Sequence, residues 1–499
     1  MTDSLTSKTL HGLKWSYVST ISTSILQIGY TAVMARLLSP SAFGLVAMGG
    51  VILRFGSYFA QMGMGQAVIQ RKELRKEHIR AAFTSSVVLS ALFLGLVWLL
   101  APFALLIFRN PQVVPIVRVM AISFVMTGLS TTSLALLRRE LKFKALALIQ
   151  IVSYIIGYAG VGIISALSGF GVWSLVLASL SSGFLSGLLS YLVVRHDLRF
   201  IFSWEHYKPL FTFGGRISGI SFLEFIGGTL DTLFVGRFLG ATELGIYNRA
   251  SSVINLPMQY FTTSVSSVLF PSFSRIQTEK VKLKRVYLNT ISTVGLFLFA
   301  ASLGVSVCSK QVVLVLLGPK WVAAIPVLQI LALSTPFSLI SHFGGVTCDA
   351  TGYLTPKVFI QFFYILLLGS LFYVLGVHGL IGYAVALLIA QVVRTLVYIV
   401  LIAKLLGINP REIVNSYVPP FASGLMIAIA ILLTRVLLNP FTRSNTVLLG
   451  AVMLVGALGL FVSFFLKINS DSREFLEERL LGGSQLYLKL RRVLAWEIK

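Results

Sequence analysis

The chain has 499 residues, 56% of them hydrophobic and only 12% charged, against roughly 25% charged in soluble domains; the deficit runs the whole length and excludes a soluble protein carrying a short anchor. The formal net charge is +24, which in a soluble chain would suggest nucleic acid. Here the basic residues cluster between apolar runs, where they serve orientation and contact with anionic headgroups, so membrane lipids and no nucleic acid are the expected partners.

Apolar runs of 18 or more residues recur from Trp15 to Leu466 and predict an all-α integral membrane fold, because backbone groups in hydrocarbon must bond within their own segment. About fourteen transmembrane helices are expected, near 15–35, 43–69, 81–105, 114–136, 145–166, 174–194, 210–236, 246–270, 287–308, 324–347, 358–375, 381–403, 417–438 and 446–466. The first run follows Lys8 and Lys14 and is too long for a signal peptide, so it reads as a retained helix. Cys308 and Cys348 fall in or near apolar segments and imply no disulfide framework.

Placing the N-terminus inside puts most of the basic residues on the cytoplasmic side. The inside clusters are Arg71, Lys72, Arg75, Lys76 and Arg80, then Arg138, Arg139, Lys142 and Lys144, then Arg275, Lys280, Lys282, Lys284 and Arg285. The expectation is a multi-pass protein of a bacterial inner membrane with both termini in the cytoplasm.

The chain also repeats itself. Ala35-Arg36-Leu37-Leu38 with Phe43-Gly44-Leu45 returns, 201 residues later, as Gly236-Arg237-Phe238-Leu239 with Leu244-Gly245-Ile246. Gly171-Val172-Trp173-Ser174 is echoed by Gly379-Leu380-Ile381-Gly382. The period equals six helices, an even number, so two lobes share one orientation about an axis along the membrane normal, a pattern of transporters. The expected division is an N-terminal six-helix lobe over 1–208, a C-terminal six-helix lobe over 209–410, two extra helices over 411–468, and a cytoplasmic interfacial tail over 469–499.

Five ionisable residues interrupt the apolar runs: Arg54, Arg216, Glu224, Asp231 and Arg394. Each costs at least ~2.5 kcal/mol at a helix centre and marks a functional hypothesis. Arg54 lies eleven residues into the second predicted helix, with Ser57 and Gln61 on its face and Asn255 at the repeat-related position. These residues either line an anion-binding cavity or serve packing through an acid in the other lobe. Arg216 shares its helix with Glu224 and Asp231; the two acids are seven apart and so share a face, amid Gly214, Gly215, Gly219, Gly227 and Gly228. They are coupling candidates through protonation, or else salt-bridge partners. Arg394, one turn after Gln391, reaches a headgroup phosphate or snorkels to the interface. The six histidines show no metal spacing, and no nucleotide-binding loop occurs, so no cofactor is expected; proton or sodium coupling is left as the energy source.

The chain resembles the polysaccharide-exporter branch of the multidrug/oligosaccharidyl-lipid/polysaccharide flippase superfamily, of the Wzx and colanic-acid exporter type. The resemblance is carried by Lys14-Trp15-Ser16, by Ala35-Arg36-Leu37 through Phe43-Gly44, and by Ala67-Val68-Ile69-Gln70-Arg71-Lys72. It continues in Arg139-Glu140-Leu141-Lys142-Phe143, Leu244-Gly245 with Tyr247-Asn248, Leu269-Phe270-Pro271, and Gly318-Pro319-Lys320-Trp321. Pro257 and Pro271 are similar to the pattern of lipid II flippases in that superfamily. The resemblance implies two lobes, a central cationic cavity and a polyprenyl-diphosphate-linked oligosaccharide as cargo, with a polysaccharide polymerase or export machinery as partner. Arg54 matches the expected second-helix cation. No arginine lies between Lys14 and Arg36, where lipid II flippases carry them, which argues against lipid II as cargo. A cation or drug antiporter of the same fold would favour an acidic cavity, whereas three arginines here oppose two acids. A glycan polymerase, which is an enzyme, needs a large outside domain; the longest expected outside loop, 309–323, contains no carboxylate. The chain therefore reads as a transporter and not as an enzyme.

Overall fold

The computed structural model describes residues 2–61, 65, 68–69, 74–201, 223–442 and 444–465. Arg216, Arg71, Lys72, Arg443 and the tail 469–499 lie outside these residues. Every regular element among the described residues is helical. In chain order they are α1 (Thr2–Leu37), α2 (Pro40–Gln61), α3 (Lys76–Leu100), α4 (Phe103–Phe108), α5 (Val113–Met120), α6 (Ile122–Arg139) and α7 (Phe143–Tyr154). A π-helical stretch, Ile155–Gly162, leads into α8 (Ile163–Leu167), followed by α9 (Val172–Val194), α10 (Leu230–Phe238), α11 (Gly240–Arg275) and α12 (Lys280–Val312). Then come α13 (Ala324–Ala350), α14 (Leu354–Leu375), α15 (Gly379–Leu406), α16 (Pro410–Leu438) and α17 (Asn445–Phe465).

Ten stretches among the described residues are long and apolar enough to cross a membrane; one, Leu354–Leu406, holds both α14 and α15. The protein is a multi-pass membrane protein. Two long helices, α1 and α11, are not among the ten. Both carry runs of Ser and Thr, and α11 runs through Pro257 and Pro271.

Two compact units emerge. The first is drawn from Met1–Ser252, Leu316–Ala324 and Leu368–Tyr383; the second from Val253–Val315, Ile325–Leu367 and Ala384–Lys499. Within the first, helices meet through small residues. A Cβ on Gly128 of α6 would lie 2.5 Å from the Ser90 hydroxyl of α3, and one on Gly157 would lie 2.6 Å from the Ser182 backbone of α9. Close backbone approach through Gly and Ser is how helices associate where lipid offers no hydrophobic drive. Arg139 donates to the Val68 and Ile69 carbonyls at 2.9 and 3.2 Å, and Leu141 adopts a left-handed φ of 55° that ends α6. Two of the motifs behind the family resemblance are thus joined.

In the second unit α12 packs along α16. Gly295 lies against Pro420 and Tyr417, and Gly424 leaves only 2.9 Å to the Phe299 backbone. Phe273, Tyr287, Ile291, Phe343, Tyr398 and Ile402 form its core. The buried or packed positions of α11 are Ile254, Met258, Phe261, Val265, Leu269 and Phe273, a three-and-four spacing that marks one apolar helix face.

Candidate functional site: an arginine–aspartate pair and a symmetric glycine crossing

Arg54 stands fourteen residues into α2, which starts at Pro40, three residues before the expected boundary. Its side chain is exposed; its Nε reaches the Gly50 carbonyl at 3.4 Å, and the Ser57 hydroxyl donates to the Arg54 carbonyl at 2.8 Å. Ser57 thus spends its hydroxyl proton on its own helix. Gln61 closes α2, and its side chain lies outside the described residues.

The Arg54 guanidinium acts electrostatically on Asp231. Asp231 occupies the first turn of α10, where its Oδ1 accepts from the Thr232 backbone N–H at 2.6 Å and from the Thr232 hydroxyl at 3.3 Å. A carboxylate at a helix N-terminus is favoured by the free N–H groups and the dipole. Phe55 next to Arg54 packs on Phe225, ring centroids 6.1 Å apart, which fixes α2 beside the segment that carries the acids.

One expectation fails here. Glu224 and Asp231 do not share the face of a continuous helix. The helix carrying Glu224 stops in a turn at Gly228-Thr229, and α10 starts afresh at Leu230. Thr229 has φ −124° and ψ −5°, and its hydroxyl bonds back to the Phe225 carbonyl at 2.8 Å. The glycines before it supply the freedom for this break. The seven-residue spacing therefore sets no shared face; of the two acids, Asp231 lies in the first turn of α10 and feels the Arg54 charge.

The first unit brings the two copies of the internal repeat into direct contact. A Cβ on Gly44 would fall 1.7 Å from the Ala241 carbonyl oxygen; one on Gly245 would fall 1.8 Å from the Pro40 carbonyl oxygen. Residues 40 and 241, like 44 and 245, are 201 apart, so the contact maps onto itself under the repeat. The start of α2 crosses the start of α11 with backbone against backbone. Gly171 and Gly379, the paired glycines of the second echo, both have left-handed φ, 57° and 65°, at the start of α9 and α15.

Trp321 packs beside the crossing. It is fully buried, donates from Nε1 to the Ala35 carbonyl at 2.8 Å, and meets Phe43 edge-on at 5.4 Å. The turn that presents it begins at Gly318, whose φ of 100° suits glycine alone. Lys320 Nζ donates to the Arg36 carbonyl at 3.1 Å. Arg237, the repeat partner of Arg36, donates to the Leu106 and Ile107 carbonyls at the end of α4.

Arg249 was missed by sequence reasoning. It sits three residues into the expected eighth helix and reads as a mouth residue, yet it lies over the Phe43 ring at 4.7 Å and donates to Asn248 Oδ1 at 2.8 Å. Its Nε is buried with no hydrogen-bond partner among the described residues. Its charge also acts on Tyr30, which packs edge-on against Tyr158 at 5.0 Å, while Tyr154 and Tyr158 stack at 4.4 Å beside the π-helical stretch. The signal that could have found Arg249 is its place one turn after the repeated Gly245.

The remaining expected site residues are scattered. Asn255 is exposed on α11 in the second unit. Arg394, also in the second unit, lies over Tyr364 at 4.7 Å and Tyr398 at 5.8 Å, with Gln391 donating to the Tyr364 hydroxyl at 3.0 Å. Its environment is a stack of aromatic rings within its own unit. Arg216 lies outside the described residues. No group of three or more His, Cys, Asp or Glu placed to hold a metal occurs among the described residues.

Comparison with known proteins follows the same lines. The family model described as "Polysaccharide biosynthesis protein" matches residues 33–326. The chain is 28% identical to the lipopolysaccharide biosynthesis protein WzxC of Escherichia coli K12, covering 84% of this chain and 86% of that one. It is 25% identical to the teichuronic acid biosynthesis protein TuaB of Bacillus subtilis 168, covering 84% and 87%. It is 28% identical to the succinoglycan biosynthesis transport protein ExoT of Rhizobium meliloti 1021, covering 69% and 71%. Among solved structures, the lipid II flippase MurJ in its inward closed conformation matches with a TM-score of 0.71 at 16% identity, covering 90% of this chain and 98% of that one. An inward-facing multidrug resistance MATE family transporter of the MOP superfamily matches at 0.57 and 18% identity, covering 77% and 95%. These two likenesses establish the fold.

Proposed function

We propose, from the premise that this chain belongs to the polysaccharide biosynthesis protein family matched over residues 33–326, that it is a flippase for lipid-linked oligosaccharide. The cargo is a polyprenyl-diphosphate-linked glycan, carried from the cytoplasmic to the outer leaflet for exopolysaccharide, capsule or O-antigen synthesis. The relatives whose names mention lipopolysaccharide, teichuronic acid and succinoglycan biosynthesis support a polysaccharide cargo.

The observation that carries the reading is the exposed Arg54 side chain inside a membrane-spanning helix, its charge acting on the carboxylate of Asp231. A diphosphate entering a low-dielectric space needs cationic donors. It can dock on the planar fork of Arg54, while Asp231 keeps its Thr232 partners. The glycine crossing at Gly44 and Gly245, with Trp321 locked beside it, supplies a seal at the ends of α2 and α11 that must open for release. The positive-inside distribution assigns those ends to the outer face and both termini to the cytoplasm. A polysaccharide polymerase or export complex on the outer side receives the product.

Purified protein in vesicles, loaded with polyprenyl-diphosphate-linked oligosaccharide, tests the reading. Arg54→Ala at normal protein level is expected to abolish flipping. Arg54→Lys restores it only in part, since an ammonium lacks the two-pronged geometry. Wild-type rates from Arg54→Ala would overturn the site assignment.

A further inference from the structure

Away from its packed side, α11 carries a run of polar residues from Asn255 to Ser267. Asn255, Gln259, Thr263 and Ser267 are exposed, and Ser266 lies between them, half-buried. Their spacing of three and four residues makes a single stripe, while Ile254, Met258, Phe261, Val265 and Leu269 turn to the core of the second unit. From Asn255 to Ser267 the stripe runs about 18 Å at 1.5 Å per residue. Ser266 Oγ and His342 Nε2 are 2.9 Å apart, which carries the stripe onto α13.

No Asp, Glu, Lys, Arg or His occurs from Val253 to Ser274. The hydroxyls of Thr263 and Ser267 donate to the Gln259 and Ser264 carbonyls at 2.8 and 2.7 Å, which leaves their oxygens free to accept. Each of the Asn255 and Gln259 amides offers two donors and an acceptor. An amide facing hydrocarbon without a partner costs about 4–8 kcal/mol, and this helix would present two. The stripe therefore belongs against water or against a ligand rich in hydrogen-bonding groups.

We propose that this stripe is a binding surface for the saccharide part of the cargo. It selects a neutral, hydroxyl-rich glycan, and its work is separate from that of Arg54. The inference rests on the flippase reading and adds the sugar chemistry to it. Hydroxyls that both donate and accept match the two amides and the three hydroxyls of the stripe, whereas an acidic sugar would call for cations that this stretch of α11 lacks.

Single thiols introduced by Asn255→Cys, Gln259→Cys, Thr263→Cys and Ser267→Cys test the surface, because the two native cysteines are both buried. A membrane-impermeable thiol reagent is expected to label all four, and to leave Ile254→Cys and Leu269→Cys unlabelled. Two probes then separate sugar from headgroup: a polyprenyl diphosphate bearing a neutral oligosaccharide, and one bearing a single hexose. The oligosaccharide probe should protect the thiols at 259 and 263, and the single-hexose probe should not. In flipping, Asn255→Leu with Gln259→Leu should slow the oligosaccharide probe about tenfold relative to the single-hexose probe, the loss expected for roughly one hydrogen bond. Arg54→Ala should stop both. Failure of the reagent to reach 259 and 263 would place the stripe against lipid and overturn the proposal, as would equal loss for both probes. If the wild-type chain moves neither probe, the flippase reading falls, and protection of the thiols still decides whether the stripe binds saccharide.

Discussion

Arg54, Arg249 and Arg394 each meet a different neighbourhood. The Arg54 charge acts on Asp231, Arg249 lies over Phe43 with no ion pair among the described residues, and Arg394 lies over Tyr364 and Tyr398. Along the sequence Arg54 and Arg394 are each one basic residue in an apolar run. Much of what separates them comes from other helices, such as Tyr364, thirty residues before Arg394, although Tyr398 stands at the i+4 spacing on the same helix as Arg394. Their variants should diverge accordingly. Arg394→Ala loses two ring contacts, each worth about 0.5–2 kcal/mol, and is expected to lower the thermal midpoint of the purified protein while the surviving protein flips at a normal rate per molecule. Arg54→Ala should leave the midpoint near wild type and remove flipping. A normal midpoint together with lost flipping in Arg394→Ala would move that residue into the cargo path.

At the scale of elements, the crossing of α2 and α11 depends on two glycines. Gly44 and Gly245 each stand where a methyl group would overlap a carbonyl oxygen of the partner helix. Gly44→Ala therefore has to push the helix starts apart. Flipping is expected to fall roughly tenfold or more, equivalent to at least about 1.4 kcal/mol against the crossed arrangement. A thiol placed by Ala241→Cys should become more reactive in the same background. Gly44→Ala with Gly245→Ala should be little worse than either alone, since both break one contact. Wild-type flipping by Gly44→Ala, with the thiol at 241 still protected, would remove the crossing from the transport cycle. Trp321→Phe keeps an aromatic ring but loses the bond to the Ala35 carbonyl and leaves a cavity at a fully buried position, so a cost above about 1 kcal/mol in stability is expected, read as a lowered thermal midpoint. The repeat itself was legible in the sequence as matching strings 201 residues apart, and so was the helical nature of both copies. That the copies touch was not legible, because the string records only like neighbours along the chain. The break at Gly228-Thr229 was half legible: the small residues around it signalled freedom to bend, yet a seven-residue spacing yields a shared face only where the helix runs on.

The whole molecule was the easiest scale to read, since long apolar runs have one structural outcome in hydrocarbon; orientation and coupling are where experiment adds most. Thiols introduced at Arg75, Arg139 and Lys282 should react only from the cytoplasmic side of right-side-out vesicles, and those at Asn110 and Lys320 only from outside; labelling of the Arg75→Cys thiol from outside would reverse the orientation. Net export needs an energy source, and the chain has no nucleotide-binding loop, so a proton or sodium gradient is the proposed source, with Arg54 and Asp231 as its proposed route. A diphosphate on Arg54 would offset the charge that acts on Asp231 and leave it the Thr232 donors. A carboxylate stripped of its cation in a low-dielectric site tends to take up a proton. Cargo binding and proton binding would then be linked, each raising the affinity for the other. Asp231→Asn holds position 231 permanently neutral at nearly constant shape. It is expected to bind polyprenyl-diphosphate-linked oligosaccharide at least as tightly as wild type and to flip it at a rate that no longer responds to a pH gradient across the vesicle. Glu224→Gln, across the break from Asp231, should retain the pH response. Unchanged pH dependence in both variants would leave these acids as structural partners of the arginines and return the coupling to sodium or to removal of product outside.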